Sequence, residues 1–172
     1  MHWNTSFGKI KNIMLNKIVI KDAISTDFIG IRKLFYQLCN YHHNLRAEKY
    51  KKVDTEYFSE ELFKSIFDNP LYKIIVAYND TELVGYIIGR EIQSNINLHT
   101  EQKTFHIEQI GTDEKYRNLG IGKTMFNYLN VYLKEHNFKC LQLHVDERNE
   151  AAKHFYFSQG FETEKLTLFL NL

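Results

Sequence analysis

The seven residues RNLGIGK, Arg117 to Lys123, carry the spacing best suited to chemistry. Gly120 and Gly122 stand between two basic side chains. Glycine has no Cβ, so an anion can approach the main chain there. Ile121, Met125, Leu129, Tyr132 and Leu133 follow at helical spacing. The first turn of a helix offers N–H groups without intrahelical acceptors and the positive end of the dipole. The segment before the glycines, KTFHIEQIGT (103–112), alternates Phe105 and Ile107 and reads as a strand. A strand, two glycines and a helix start make a cradle for a pyrophosphate. A tight turn alone would also use the two glycines. Spacing excludes two nucleotide-binding patterns. A P-loop needs glycine where Arg117 stands. The dinucleotide fingerprint needs glycine where Met125 stands.

The elements that must position this loop are legible along the chain. KIVIKDA (17–23) reads as a strand. Ser25 and Asp27 supply N-cap chemistry for a helix with Phe28, Ile31, Phe35 and Leu38 on one face. NYHHNLRAEKYKK (40–52) is polar and irregular. Asp54 and Thr55 can cap a second helix whose face is Phe58, Leu62 and Ile66, stopped by Pro70. LYKIIVAY (71–78) and LVGYIIGRE (83–91) form a hairpin about the turn NDTE. Residues 92–102 are a polar loop. CLQLHV (140–145) alternates, with Leu141, Leu143 and Val145 on one face. Asn149 caps a short helix closed by Gly160 at C′, and LTLFLNL (166–172) is expected to be a final strand. The order of elements is that of a mixed α/β single domain. Residues 1–16 read as a flexible N-terminal extension, and 17–172 as the domain.

The balance of charge narrows the partners. Lys and Arg number 22 against 21 Asp and Glu, a net charge of +1 that leaves no footprint for nucleic acid or an anionic membrane. No run approaches a membrane span and the N-terminus has no signal-like apolar core, so a cytoplasmic protein is expected. The two cysteines, Cys39 and Cys140, each sit in an apolar-periodic stretch and read as packing residues.

R-x-x-G-x-G after a strand and before a helix resembles the acyl-CoA-binding motif of the GNAT superfamily of N-acetyltransferases. HVDERNEAAKHFYFSQGF (144–161) is similar to that family's second signature through Asn149, Ala152, Tyr156, Gly160 and Phe161. IEQIGTDEKYR (107–117) resembles the strand that leads into the loop. The chain departs from the family at Asn118, often glycine, and at Glu114, often proline. The resemblance implies an α/β fold with a mixed central sheet of about six to seven strands flanked by about four helices.

The resemblance also implies an activity: transfer of an acetyl group from acetyl-CoA to a primary amine by direct attack in a ternary complex. Residues Arg117, Asn118, Leu119, Gly120, Ile121, Gly122 and Lys123 would hold the pyrophosphate. Ile110 and Thr112 would pair with the pantetheine arm as an added strand does, and Asn149 would hydrogen-bond it. An amine of pKa about 10.4 needs a base, and Glu108 takes that role by family position, with His106 two residues earlier able to share it. Tyr156, also by family position, would protonate the departing thiolate. The acceptor would be a small-molecule or peptide amine, met by residues 38–58, where Tyr41, His42, His43 and Arg46 could line a pocket. No metal is expected: adjacent histidines diverge on a helix. A homodimer paired through the C-terminal strand is one expectation. The competing reading, from a different class, is an acyl-CoA-binding sensor or interaction module without catalysis.

Overall fold

The computed structural model describes residues 18–53, 57–92, 103–168 and 170. Within them, five strands form one sheet in the order β1-β2-β3-β4-β5: β1 Ile18–Asp22, β2 Tyr72–Asn79, β3 Glu82–Ile92, β4 Thr104–Thr112 and β5 Cys140–Leu143. The first four pair antiparallel, and β5 joins β4 in parallel. The connections place α1 (Phe28–Leu45) and α2 (Glu60–Phe67) on one face of the sheet. They place α3 (Ile121–Glu135) and α4 (Glu150–Ser158) on the other.

Two apolar layers follow from this sandwich. Phe28, Ile31, Leu34 and Phe35 of α1 meet Ile74, Val76, Tyr86 and Ile88 of the sheet. On the opposite face Ile121, Met125, Phe126, Leu129 and Leu133 of α3 meet Ile75, Ile87, Phe105 and Ile107. Of the helical stripe expected for 121–133, Ile121, Met125, Leu129 and Leu133 are buried and Tyr132 is half-buried beside them. Two β-bulges adjust the facing of the strands. One leaves Val84 as the extra residue of β3, between Ala77↔Gly85 and Tyr78↔Leu83. The other leaves Glu108 as the extra residue of β4, between Ile88↔Gln109 and Gly89↔Ile107. A bulge reverses the alternation beyond it. Hence Phe105 and Ile107 face α3 before the bulge, and Ile110 faces it after.

Several local expectations are corrected. The helix α1 continues through Asn40–Leu45 instead of ending in irregular chain, because Leu38 and Cys39 still pack on the first apolar layer. Asp27 stands at the N-cap of α1, but its carboxylate accepts from Ile24 N at 2.9 Å and the Tyr78 hydroxyl at 2.5 Å, so it ties β2 to the turn. The cap of α2 is Ser59, whose hydroxyl accepts from Leu62 N; Asp54 and Thr55 lie outside the described residues. Phe58 precedes α2 while still being buried, and on α2 itself Phe63 is the core residue and Leu62 is exposed.

The sheet has five strands among the described residues, not six to seven, and β5 ends at Leu143. Residues 166–168 form no strand, and Leu166, Leu168 and Leu170 are exposed. Alternation suits a strand, yet nothing among the described residues pairs with these leucines. The N-terminal extension 1–16 and most of the loop 92–102 lie outside the described residues. Both thiols are free and partly buried, and burial pushes that of Cys39 upward. No described helix is long and apolar enough to cross a membrane.

Candidate active site

Strands β4 and β5 stay in register only from Thr104↔Cys140 to Ile107↔Leu143. Beyond that pair β4 runs on to Thr112, while the chain after Leu143 turns toward α4. The β5-facing edge of residues 108–112 therefore has no strand partner among the described residues. A wedge between two parallel strands opens there, with main-chain groups on its β4 wall.

The glycine loop closes the end of that wedge. After β4, Asp113 caps a short 3₁₀ turn, Glu114–Tyr116, by accepting from Lys115 N at 3.0 Å. Burial opposes ionisation of Asp113, but the Lys115 N–H, the Gln37 amide and the Lys33 ammonium outweigh it and hold the carboxyl below its usual value. Arg117 then reaches back, and its Nε donates to Thr112 O at 3.5 Å. Asn118 and Gly120 both have positive φ, 61° and 85°. Asparagine suits this position because it tolerates the left-handed region better than most residues. The first helical backbone bond of α3 runs from Thr124 N to Gly120 O, leaving the amides of Ile121, Gly122 and Lys123 without an intrahelical acceptor. A Cβ on Gly122 would meet Phe155 Cζ at 3.2 Å, so this glycine also lets α3 and α4 approach closely.

The second wall begins at Asn149. Its Oδ1 accepts from Ala152 N at 3.2 Å, the expected cap of α4, and also from the Tyr41 hydroxyl at 3.0 Å. The Arg117 guanidinium lies 5.3 Å from the centre of the Tyr41 ring. Tyr41 thus joins the glycine loop to the start of α4, and the sequence reading missed this role. Tyr156, one turn and a half along α4, is buried among Phe126, Phe155 and Phe161. Burial pushes its phenol up to about 12. Phe157, the next residue, is exposed.

Glu108 sits at the bulge, and Arg90 Nε donates to its Oε1 at 2.5 Å. His106 lies on the same side of the sheet. Burial first, and the neighbouring His144 ring at 4.8 Å second, hold its pKa below the ordinary 6.5. Its buried Nδ1 has no partner among the described residues. Arg90 and His144 are parts of this cluster that the sequence did not single out. The pairing of β3 with β4 brings Arg90 to Glu108, and His144, just past the end of β5, meets the His106 ring.

Glu108 and Gln109 form one wall of a pocket of about 490 Å³ facing α1 and α2, with Phe35, Phe58, Leu62 and Tyr72 among its other walls. The expected acceptor residues are mostly elsewhere. Tyr41 faces the wedge. His42 stacks near Tyr50 at 5.2 Å, and His43 Nδ1 donates to Tyr50 O at 2.8 Å. Arg46 is buried against Asp146 at 3.3 Å. Asp146 also accepts from Lys49, the Tyr50 hydroxyl and Arg148 N. Burial alone would raise its carboxyl, but these donors hold it far below the usual carboxylate range. Helix α1 runs further than expected and turns these side chains toward the loop that precedes Asn149.

A parted pair of parallel strands, a glycine-led helix start at its end and an asparagine-capped helix across it are the features this α/β domain brings together. The chain belongs to the acetyltransferase (GNAT) family, whose model matches residues 39–161. It is 30% identical over 108 residues to N-alpha-acetyltransferase 50 of Danio rerio, a match covering 60% of this chain and 64% of that one. The chain thus spans somewhat under two thirds of that relative's length. Among solved structures, the BH1408 protein of Bacillus halodurans, crystallised as a tetramutant, superposes with a TM-score of 0.84 at 25% identity, over 90% of this chain and 99% of that one. The aminoglycoside N-acetyltransferase AAC(6')-Iy in complex with CoA has a TM-score of 0.72 at 14% identity, over 90% and 94% of the two chains, and shares the fold.

Proposed function

We propose that this protein transfers the acetyl group of acetyl-CoA to a primary amine by direct attack within a ternary complex. The observation that carries this reading is the parting of β4 from β5 beyond Ile107 and Leu143, with the bare helix start at its end. A pantetheine arm fits such a gap as an extra strand does, through the backbone of Ile110 and Thr112. The first-turn amides after Gly120 suit a pyrophosphate, with Arg117 and Lys123 beside them. Because the Asn149 Oδ1 is committed to Ala152 and Tyr41, its Nδ2 is the group left to donate to the arm. The CoA-bound neighbour of the same fold supports the donor class.

Bound acetyl-CoA supplies an activated acyl carbon and a thiolate leaving group of pKa near about 8.5. The chain must supply a base, a polarising donor and a partner for the thiolate. Glu108 takes the ammonium proton directly or through water, and its pairing with Arg90 keeps the carboxylate oriented. His106, neutral at pH 7, shares that role. An amide of Ile110 or Thr112 polarises the carbonyl. The amine nitrogen then bonds to the acyl carbon as the carbon–sulfur bond breaks, and the second surplus proton on nitrogen passes to solvent.

Tyr156 stays protonated because burial pushes its phenol up to about 12. Outright proton transfer from a phenol at that value to a thiolate at about 8.5 is uphill by roughly 5 kcal/mol. Tyr156 therefore acts as a hydrogen-bond donor to the developing thiolate, which solvent then protonates.

Thermal stability with acetyl-CoA, and with ATP and NAD as controls, tests the reading. Ligand at 100 times its dissociation constant adds about 2.7 kcal/mol, which raises the Tm of a chain this size by roughly 5–11 °C. A shift with acetyl-CoA alone supports the proposal. No shift at saturation withdraws it. With an active amine in hand, Tyr156→Phe lowers kcat by roughly 10²-fold or more, the cost of one donor to developing charge. Glu108→Gln lowers it by roughly 10²-fold and flattens the acid limb of the pH profile. Full activity in both variants would overturn these roles while leaving the donor intact.

A further inference from the structure

The pocket beside Glu108 differs sharply along its walls. Phe35 and Phe58 stack at 4.7 Å, both buried, and make its floor. The ring of Tyr57 lies parallel to Phe35, 6.2 Å away at 2°, although Tyr57 itself is exposed, so it forms an aromatic rim. Leu62 and Ile66 enter from α2, one turn apart, and Tyr72 enters from the start of β2. Polar side chains line it as well: Ser65, Asn69, Gln109 and Glu108, together with the hydroxyls of Tyr57 and Tyr72. The Gln109 Oε1 is already taken by the buried Tyr86 hydroxyl at 3.2 Å.

Charge decides between acceptor classes. Glu108 is the single carboxylate among the described lining residues, and Arg90 neutralises it. A polycationic acceptor needs several unpaired carboxylates. Here an additional ammonium would find no second carboxylate among the described lining residues. One ammonium beside Glu108 is accommodated, with an apolar body over Phe35, Phe58 and Leu62. The volume of about 490 Å³ lies in the range of sites for small organic ligands.

We infer that the acceptor is a monoamine carried on an apolar, ring-sized body, with its nitrogen at Glu108 and its body against the Phe35–Phe58–Leu62 wall. The inference rests on the acetyl-transfer reading above for the reaction, but its binding part stands alone. The same chemistry has two sources, a free arylalkylamine or the N-terminus of a peptide that begins with a bulky apolar residue.

The test uses four amines with the full-length protein: 2-phenylethylamine, a phenylalanine-led tetrapeptide, spermidine and kanamycin. Binding is measured by calorimetry with and without CoA, and turnover by release of the CoA thiol from acetyl-CoA. Burial of one phenyl ring corresponds to about a ten- to hundredfold gain in affinity. The expected result is a kcat/KM for 2-phenylethylamine or the tetrapeptide at least tenfold above spermidine and kanamycin. Which of the two wins identifies the source. Leu62 is exposed on α2 and tolerates substitution there, so Leu62→Glu keeps the fold. It should raise the KM for the preferred amine at least tenfold and improve spermidine, while leaving acetyl-CoA affinity unchanged. A preference for spermidine or kanamycin, or an unchanged KM in Leu62→Glu, overturns the inference. Tight aromatic-amine binding without any acetyl-CoA binding would uphold the pocket and sink the transfer reading. Acetyl-CoA binding with no binding of either aromatic amine would do the reverse.

Discussion

Replacing Asp146 by alanine isolates one buried charge that fastens the acceptor-side helix to the donor-side loop. Three donors converge on its Oδ2: Arg46 Nη1 at 3.3 Å, Lys49 Nζ at 3.2 Å and the Tyr50 hydroxyl at 2.9 Å. The Arg148 N–H occupies Oδ1 at 3.0 Å. Side-chain exposure separates their weights. Lys49 is 51% exposed, so its pair contributes below about 1 kcal/mol. Arg46 is 9% exposed and Asp146 1%, so the loss of Asp146 leaves a nearly buried guanidinium short of its counter-ion. Breaking a buried pair costs about 3–5 kcal/mol. Arg46 keeps Glu48 at 3.2 Å as a second partner, which favours the lower end. About 3 kcal/mol lowers the Tm by roughly 6–12 °C for a chain of this length. Salt should barely alter the difference, because the Asp146–Arg46 contact is shielded from solvent.

Calorimetry of Asp146→Ala at low and at high ionic strength reads both quantities. The variant should also raise the KM for acetyl-CoA more than it lowers kcat, since Asn149 follows the loop that Asp146 anchors. A Tm within 2 °C of wild type at either salt, or a difference that salt abolishes, would refute the buried-pair reasoning.

Other perturbations follow from the same geometry. Gly120→Ala places a Cβ at a φ of 85°; it should cost about 1 kcal/mol and raise the KM for acetyl-CoA, read by denaturant unfolding and steady-state kinetics. Gly89→Ala would set a Cβ 2.4 Å from Phe105 Cε1 and 2.7 Å from the His106 carbonyl, so it should cost 3 kcal/mol or more or prevent folding, read by soluble yield and Tm. Acid should weaken the fold in two windows. His42 and His106 are held below 6.5 chiefly by burial, so the unfolded chain binds more protons as the pH falls past that value. Asp113 and Asp146 are depressed by their donors, and their contribution is present above about 3.9 and lost below it. A urea midpoint that stays flat from pH 7 to pH 5 would contradict the histidine part.

The sequence carried the donor side of the site further than the acceptor side, for a physical reason. The glycine loop, the helix start and the Asn149 cap are local devices, written in adjacent residues whose backbone needs are few. The positive φ at Asn118 and Gly120 fits that reading. The pocket beside Glu108 is assembled from four separate elements, and its partners meet only through packing. Arg90 lies in β3, and nothing in its own strand marks it as the partner of Glu108. Helix α1 was read short because Asn40 to Leu45 looks polar, yet Leu38 and Cys39 anchor that turn. The bulge at Glu108 could not be read at all, since a one-residue slip is a property of two strands. The final strand failed for the opposite reason: Leu166, Leu168 and Leu170 alternate as a strand should but have no strand beside them among the described residues.

The bulge has a consequence for how freely this site can change its chemistry. Glu108 has no register partner in β3, meets that strand only through the Arg90 side chain, and belongs to neither apolar layer. A different side chain there leaves the packing of Phe105, Ile107 and Ile110 untouched and gives up only the pair with Arg90, so stability places little constraint on what stands at this wall of the pocket. The constraint is displaced to the strand opposite, where Gly89 has no room for even a methyl group. One position is held to glycine, and its neighbour across the bulge is released to diversify.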